Sequence, residues 1–149
     1  MLTFQIKGTQ KLLKALGDVP KQTRRSTERA LTKSAHLVER NAKQNLTGGR
    51  PLNVRSNTLR SSVRTKVDKT KLEARVGTNV VYGPVHEFGA TIRPKRKKWL
   101  HWLGPAGEKI FAKKVVVPKR PWLQPAFDQA QARIKKFFKD EISGGLDRI

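Results

Sequence analysis

Tyr82, His86 and Glu87 are the residues of this chain whose types could do chemistry. A histidine beside a carboxylate, with a phenol one helical turn away, can pass a proton to and from a phosphodiester. Their spacing works against that use, because neighbouring residues on a helix project about 100° apart and His86 and Glu87 do not converge on one atom. The packing alternative turns Tyr82, Val85 and Phe88 inward while Glu87 caps, pairs or faces a neighbouring subunit. No two of the three histidines, His36, His86 and His101, have the i, i+3 or i, i+4 spacing of a helical metal site, and the chain has no cysteine. Gly48-Gly49-Arg50 lacks the lysine and hydroxyl of a phosphate-binding loop, and no Gly-x-Ser-x-Gly is present. The expectation is a protein with no catalytic residues, no cofactor and no metal.

Binding without chemistry is the stronger rival. Trp99, Trp102 and Trp122 lie near basic residues, and aromatics beside cations make platforms for single-stranded nucleic acid. Strand alternation, however, puts Trp99 with His101 on one face and Trp102 with Leu100 on the other, so one face offers at most one tryptophan to a base. Packing in a core or a subunit interface is favoured. No recognition helix, zinc-finger spacing or aromatic RNA-binding signature is apparent, so any DNA contact goes to phosphates, steep in salt and indifferent to sequence.

The elements that must position these residues can be read from period and punctuation. Phe4 to Lys7 alternates as a short strand ended by Gly8, and Thr9 can cap a short helix holding Leu12, Leu13 and Leu16. From about Lys21 to Leu46, the residues Thr27, Leu31, Ala35, Val38, Ala42 and Leu46 recur every three or four, which predicts one face of a long amphipathic helix. Thr47 to Pro51 stops it and opens a basic loop to about Asn57. Thr58 to Ser62 suggests a helical turn. Val63, Thr65 and Val67, then Leu72, Ala74 and Val76, predict a hairpin with one buried face, turning at Lys69 to Lys71 and ending at Gly77. A turn or two of helix spans Tyr82 to Phe88, closed by Gly89, and Thr91 to Pro94 is extended. Trp99 to Leu103 and Ile110 to Val117 read as a second hairpin across Gly104-Pro105-Ala106-Gly107. A final helix begins at Pro125, carries Phe127, Ala130, Ile134, Phe137 or Phe138, and Ile142 as its stripe, and stops at Gly144 and Gly145.

The 149 residues suit one domain, expected to span 1–149 with a basic hairpin inserted at about 93–120. There is no internal repeat or linker. The N-terminus is too short and polar for a signal peptide, and no stretch has the roughly 18 apolar residues of a membrane span. Thirty-three Lys and Arg against eleven Asp and Glu give a net charge of +22, typical of proteins on nucleic acid or in large assemblies. Residues 93–121 hold ten basic side chains and one acidic, whereas Glu87 is the sole charge in 78–92. Two sets of cations are candidates for contact with DNA or an acidic partner. One is the helix face opposite the apolar stripe, with Arg25, Arg29, Lys33, His36, Arg40 and Lys43. The other is the run Arg93, Lys95, Arg96, Lys97 and Lys98.

The flanks of that run carry a resemblance. Tyr82-Gly83-Pro84-Val85-His86-Glu87-Phe88-Gly89 and Arg120-Pro121-Trp122-Leu123-Gln124-Pro125-Ala126 resemble the two short motifs of the tailed-bacteriophage neck and tail-completion family, which includes minor tail protein Z-like and virion-morphogenesis proteins. Members carry a Tyr-Ala-x-x-Val-Glu-Phe-Gly-like and an Arg-Pro-Phe-Leu-x-Pro-Ala-like element with a variable insertion between. Here Gly83 and Pro84 stand in the first and Trp122 replaces phenylalanine in the second. The element order matches from about Phe4 to about Ile142. The resemblance implies an α+β fold: a long N-terminal helix packed on an antiparallel sheet, a protruding basic hairpin and a C-terminal helix. It implies a non-enzymatic virion protein of the neck or tail, assembled in the host cytoplasm, that joins head connector to tail as a ring, commonly sixfold, around the DNA channel. Neighbouring neck, connector or tail-tube proteins would be its partners, with the motif residues Tyr82, His86, Glu87, Phe88, Gly89, Arg120, Pro121, Trp122, Leu123 and Pro125 at subunit interfaces. A free-standing nucleic-acid-binding protein is the alternative from the residues themselves, and a small nuclease centred on His86 is a further one.

Overall fold

The structure, a computed structural model, describes residues 2–6, 21–47 and 57–146. Helix α1 (Lys21–Asn45) is the central element, against which the C-terminal helix and the second and third strands pack. Its predicted apolar face, Thr27, Leu31, Ala35, Val38, Ala42 and the adjoining Leu46, is buried throughout. A second strip, offset by about 100° and made of Ser26, Ala30, Ser34 and Leu37, is buried too. Small side chains there let a second helix come close, and Ser34 Oγ donates to the Ala30 carbonyl at 2.7 Å, so its burial leaves no unmet donor.

The first face meets an antiparallel sheet of β1 (Leu2–Ile6), β2 (Arg64–Asp68) and β3 (Glu73–Thr78), in the order β1-β3-β2. Ala74 and Val76 of β3, and Val63 just ahead of β2, belong to the same core as Leu31, Ala35 and Val38. The short helix α2 (Thr58–Ser62) leads into β2 and buries Leu59. The hairpin turns where expected because the Asp68 carboxylate accepts the backbone N–H groups of Thr70 and Lys71, each at 3.0 Å. Arg24 of α1 donates to the Lys69 and Thr70 carbonyls and ties the helix start to that turn. The first strand sits slightly earlier than its predicted span, and β3 runs one residue past Gly77. The short helix around Leu12 and most of the basic loop, 48–56, lie outside the described residues.

The second strip of α1 meets α4 (Gln124–Leu146), which contributes Ala126 and Ala130 to the core with Phe127, Ile134, Phe137 and Phe138 packed against it. Asn41 Nδ2 donates to the Ala126 carbonyl at 3.3 Å and Asn45 Nδ2 to the Trp122 carbonyl at 3.0 Å, pinning the start of α4 to the end of α1. Contrary to expectation, α4 does not stop at Gly144 and Gly145. Neither adopts the left-handed φ that ends a helix, and glycine in a helical conformation costs only about 1 kcal/mol.

Between sheet and α4 the chain forms α3 (Tyr82–Phe88) and two ribbons. β4 (Ala90–Ile92) pairs antiparallel with β7 (Val115–Val117), and β5 (Leu100–Leu103) with β6 (Lys109–Ala112). The run Ile110 to Val117 is therefore two strands rather than one. Ala112 pairs with Leu100 and Val115 with Ile92, so residues 93–99 have only Lys113 and Lys114 opposite them, and the mismatch bends the chain between ribbons. The fold is α+β, with a long N-terminal helix, small antiparallel sheets and a C-terminal helix. No helix among the described residues is long and apolar enough to cross a membrane.

Candidate functional site

The two motif segments are far apart in sequence and meet in space. Glu87, 1% exposed, points its carboxylate at the start of α4, where Oε2 accepts the backbone N–H of Trp122 at 2.7 Å and of Leu123 at 2.9 Å, and Oε1 accepts that of Gln124 at 2.9 Å. A helix N-terminus has orphan N–H groups and a positive dipole end, and a buried carboxylate satisfies both. In return Trp122, fully buried, donates its indole N–H to the Gly83 carbonyl at 3.3 Å, and the Arg120 N–H donates to the His86 carbonyl at 2.7 Å. The joint also explains its glycines. A methyl group on Gly83 would lie 2.5 Å from Thr78 Cγ2 and 3.3 Å from Leu59 Cδ1. Gly89 has φ +74° and passes so near Val117 and Lys119 that a Cβ would meet their backbone at 3.1 Å.

Of the three roles weighed for Glu87, capping is the one seen, and both its oxygens are occupied by backbone donors. His86 is half-buried, its ring edge-on to Tyr82 with centroids 6.0 Å apart. Burial, and then the charge of Arg120, push its pKa below the ordinary value, and its Nδ1 is buried without a hydrogen-bond partner. Tyr82 and Phe88, expected inside, are exposed at 40% and 62%. The helix turns its Gly83 and Glu87 side inward because those two residues make the contacts to Trp122 and the α4 terminus. Arg120 is exposed, Pro121 and Pro125 are half-buried, and Leu123 is in the core. Among the described residues no cluster of three or more metal-ligating side chains occurs.

The joint clamps both ends of everything between Gly89 and Arg120, and the β4–β7 ribbon continues the clamp outward through Ala90 opposite Val117. Beyond it the β5–β6 hairpin pairs with itself and scarcely with the body. Trp99 and Trp102 are 40% exposed, Phe111 60% and Leu103 68%, so they are surface groups rather than core. On one face His101 stacks on Phe111 with centroids 6.2 Å apart, and the Lys113 ammonium stands 5.0 Å from the Trp99 ring centre. Glu108, the one acid of this arm, closes its turn by accepting the Ala106 N–H at 3.0 Å. Arg93, Lys95, Arg96, Lys97 and Lys98 are all exposed at the arm's root.

The helical stripe divides in two. Arg29 and Lys33 bind Glu141 of α4, Arg29 Nε at 2.9 Å, and thereby fasten the α1–α4 seam instead of offering bare charge. Arg25, His36 and Arg40 remain exposed, and Lys43 pairs with Glu39. Burial disfavours the Glu39 anion, but hydrogen bonds from Lys43 and Thr65 and the nearby charges of Lys43 and His36 outweigh it and hold its pKa down. Sequence reasoning missed Asn41 and Asn45, whose one-turn spacing on a strip between two buried faces was the available clue. It also missed Arg60, Arg64, Lys66 and Arg75, which line grooves that only the folded chain creates.

A family model described as the phage virion morphogenesis family matches residues 32–142, about three quarters of the chain, from the middle of α1 to near the end of α4. The matched span includes both halves of the joint and the whole arm. No curated protein and no solved structure matches the chain significantly. By the extent of that match, the chain belongs to the phage virion morphogenesis family.

Proposed function

We propose that this chain is a non-enzymatic structural protein that completes the tail or neck of a tailed phage and joins head connector to tail as a ring, commonly sixfold, around the DNA channel. The observation that carries the reading is the arm: a two-stranded hairpin with four large exposed hydrophobics, held at both ends by a buried joint. An isolated two-stranded hairpin is marginal in water, and exposed aromatics of this size mark contact surfaces. Trp, Phe and flanking cations are the composition of interface anchors, and the five cations of 93–98 suit an acidic rim on a neighbouring neck, connector or tail-tube protein. Heterologous contacts close into rings when each subunit offers two different surfaces. Val81, just ahead of α3, and the outward Tyr82 and Phe88 of α3 supply further exposed apolar groups for a second surface.

The test is a Trp102→Ala/Phe111→Ala chain supplied to a phage lacking its own copy. Neither side chain is core, so the purified variant should melt within a few degrees of the parent, while infectious particles fall at least about tenfold as anchor contacts are lost. A normal particle yield would remove the arm from assembly.

A further inference from the structure

Among the described residues, two concave basic surfaces are lined by no residue of the arm. One groove, of about 360 Å³, is lined by His36, Glu39, Arg40 and Lys43 of α1 and by Arg60 of α2. A larger one, of about 650 Å³, is lined by Ser62, Arg64, Lys66, Arg75, Thr78 and Asn79, on α2 and the β2–β3 side. Both are lined in part by α2, through Arg60 and Ser62. The acids in and beside the grooves are engaged already: Glu39, in the wall of the first, holds Lys43, and Glu73, beside the second, accepts from Arg75 Nε at 2.8 Å. Arg60 Nε is buried without a hydrogen-bond partner, and its Nη1 reaches Asn57 Oδ1 only at 3.5 Å. A buried guanidinium donor without an acceptor is an unusual thing for a folded chain to keep.

We infer that these two grooves bind the phosphodiester backbone of DNA, with Arg60, Arg64 and Lys66 as principal contacts and Arg40 and Lys43 extending the track. The composition of the lining separates this partner from an acidic protein. Protein interfaces centre on buried apolar and aromatic anchors, and neither groove is lined by any. Arginine and lysine interleaved with serine, threonine, asparagine and glutamine are the donors that phosphates take. The aromatic arm and the grooves are thus surfaces of different kinds, one suited to protein and one to polyphosphate. No base-reading element enters either groove, so binding is independent of sequence. This goes beyond the joining role and does not depend on it, because the isolated chain should bind DNA.

The experiment is fluorescence anisotropy of the full chain with a labelled random-sequence duplex, titrated at sodium chloride concentrations from about 50 to 200 mM, where phosphate contacts are released as salt rises. Arg60→Gln/Arg64→Gln/Lys66→Gln should weaken binding at low salt at least about tenfold and flatten the log–log salt slope by about two to three. Arg96→Gln/Lys97→Gln/Lys98→Gln removes the same charge from the arm root and should change affinity less than about threefold. Arg64→Gln/Lys66→Gln alters exposed side chains alone and should still cost several-fold, which keeps the test decisive if loss of Arg60 unfolds the chain. Equal losses from the groove and arm triples would reduce the effect to net charge and overturn the proposal, as would no binding by the parent chain. Polyglutamate displacing the duplex as well as unlabelled duplex does, charge for charge, would reassign the grooves to acidic protein. Inorganic phosphate binding the parent at Arg60 while duplex does not would reassign them to the free ion. Either result overturns the inference, whereas the joining role is tested separately by the arm variant.

Discussion

At the scale of single residues, Glu87 and Trp122 hold the joint together and should dominate its mutational response. Glu87→Ala leaves three backbone N–H groups at the start of α4 without acceptors and should cost about 3 to 5 kcal/mol. Glu87→Gln keeps one accepting oxygen and should cost less, about 1 to 3 kcal/mol. Trp122→Ala empties a fully buried site and removes the indole bond to Gly83, for about 3 to 5 kcal/mol. Thermal and denaturant melts of purified chains measure all three, and a Glu87→Ala chain as stable as the parent would dismiss the cap. Trp122 was legible only in part: the sequence favoured packing in a core or a subunit interface, and the structure places it in the core. The orientation of α3 was not legible. Periodicity says which residues share a face, and Tyr82 with Phe88 is the apolar choice, but which face turns inward is decided by the orphan N–H groups of a helix more than thirty residues away.

At the scale of elements, α1 shows where sequence reading works and where it fails. A repeat of three and four over 25 residues fixes the sheet-facing side, and each residue expected there is buried. The α4-facing side escaped because Ser26 and Ser34 look polar, and their burial makes sense only when a helix packs against them. The same blind spot left Arg29 and Lys33 as bare charge, since their partner Glu141 is over a hundred residues on. Hydrogen bonds from Lys33 and Arg29, with their charges, hold the Glu141 carboxyl below its ordinary value of 4.5 despite the opposing effect of burial. A lowered folded-state pKa means stability that is complete above 4.5 and lost as pH falls through the depressed value. The melting temperatures of the parent and of Glu141→Gln should therefore differ at neutral pH and converge once the pH has fallen below that depressed value. A gap that persists there would assign the difference to packing. The break between β6 and β7 falls at Lys113 and Lys114, which interrupt the apolar run without ending its β-rich character, and only the pairing partners, Leu100 and Ile92, show that the run serves two ribbons.

At the scale of the molecule, a charge of +22 on 149 residues is divided by the fold into surfaces with different neighbours. Intramolecular pairs take up Arg29, Lys33, Lys43 and Arg75, the arm root exposes five cations beside aromatics, and the α2 grooves bring Arg40, Arg60, Arg64 and Lys66 together without large apolar side chains. The charge census located the arm's root, because 93–98 is contiguous in sequence. It could not locate the grooves, whose residues span 36 to 79 and become neighbours only when α1, α2 and the sheet pack. An image of the assembled virion that resolves individual subunits tests the joining role most directly. This chain should lie in a ring coaxial with the DNA channel between head connector and tail, with Trp102 and Phe111 buried against a neighbouring subunit or ring. A chain located elsewhere in the particle, or a ring whose β5–β6 arms stand in solvent, would contradict it.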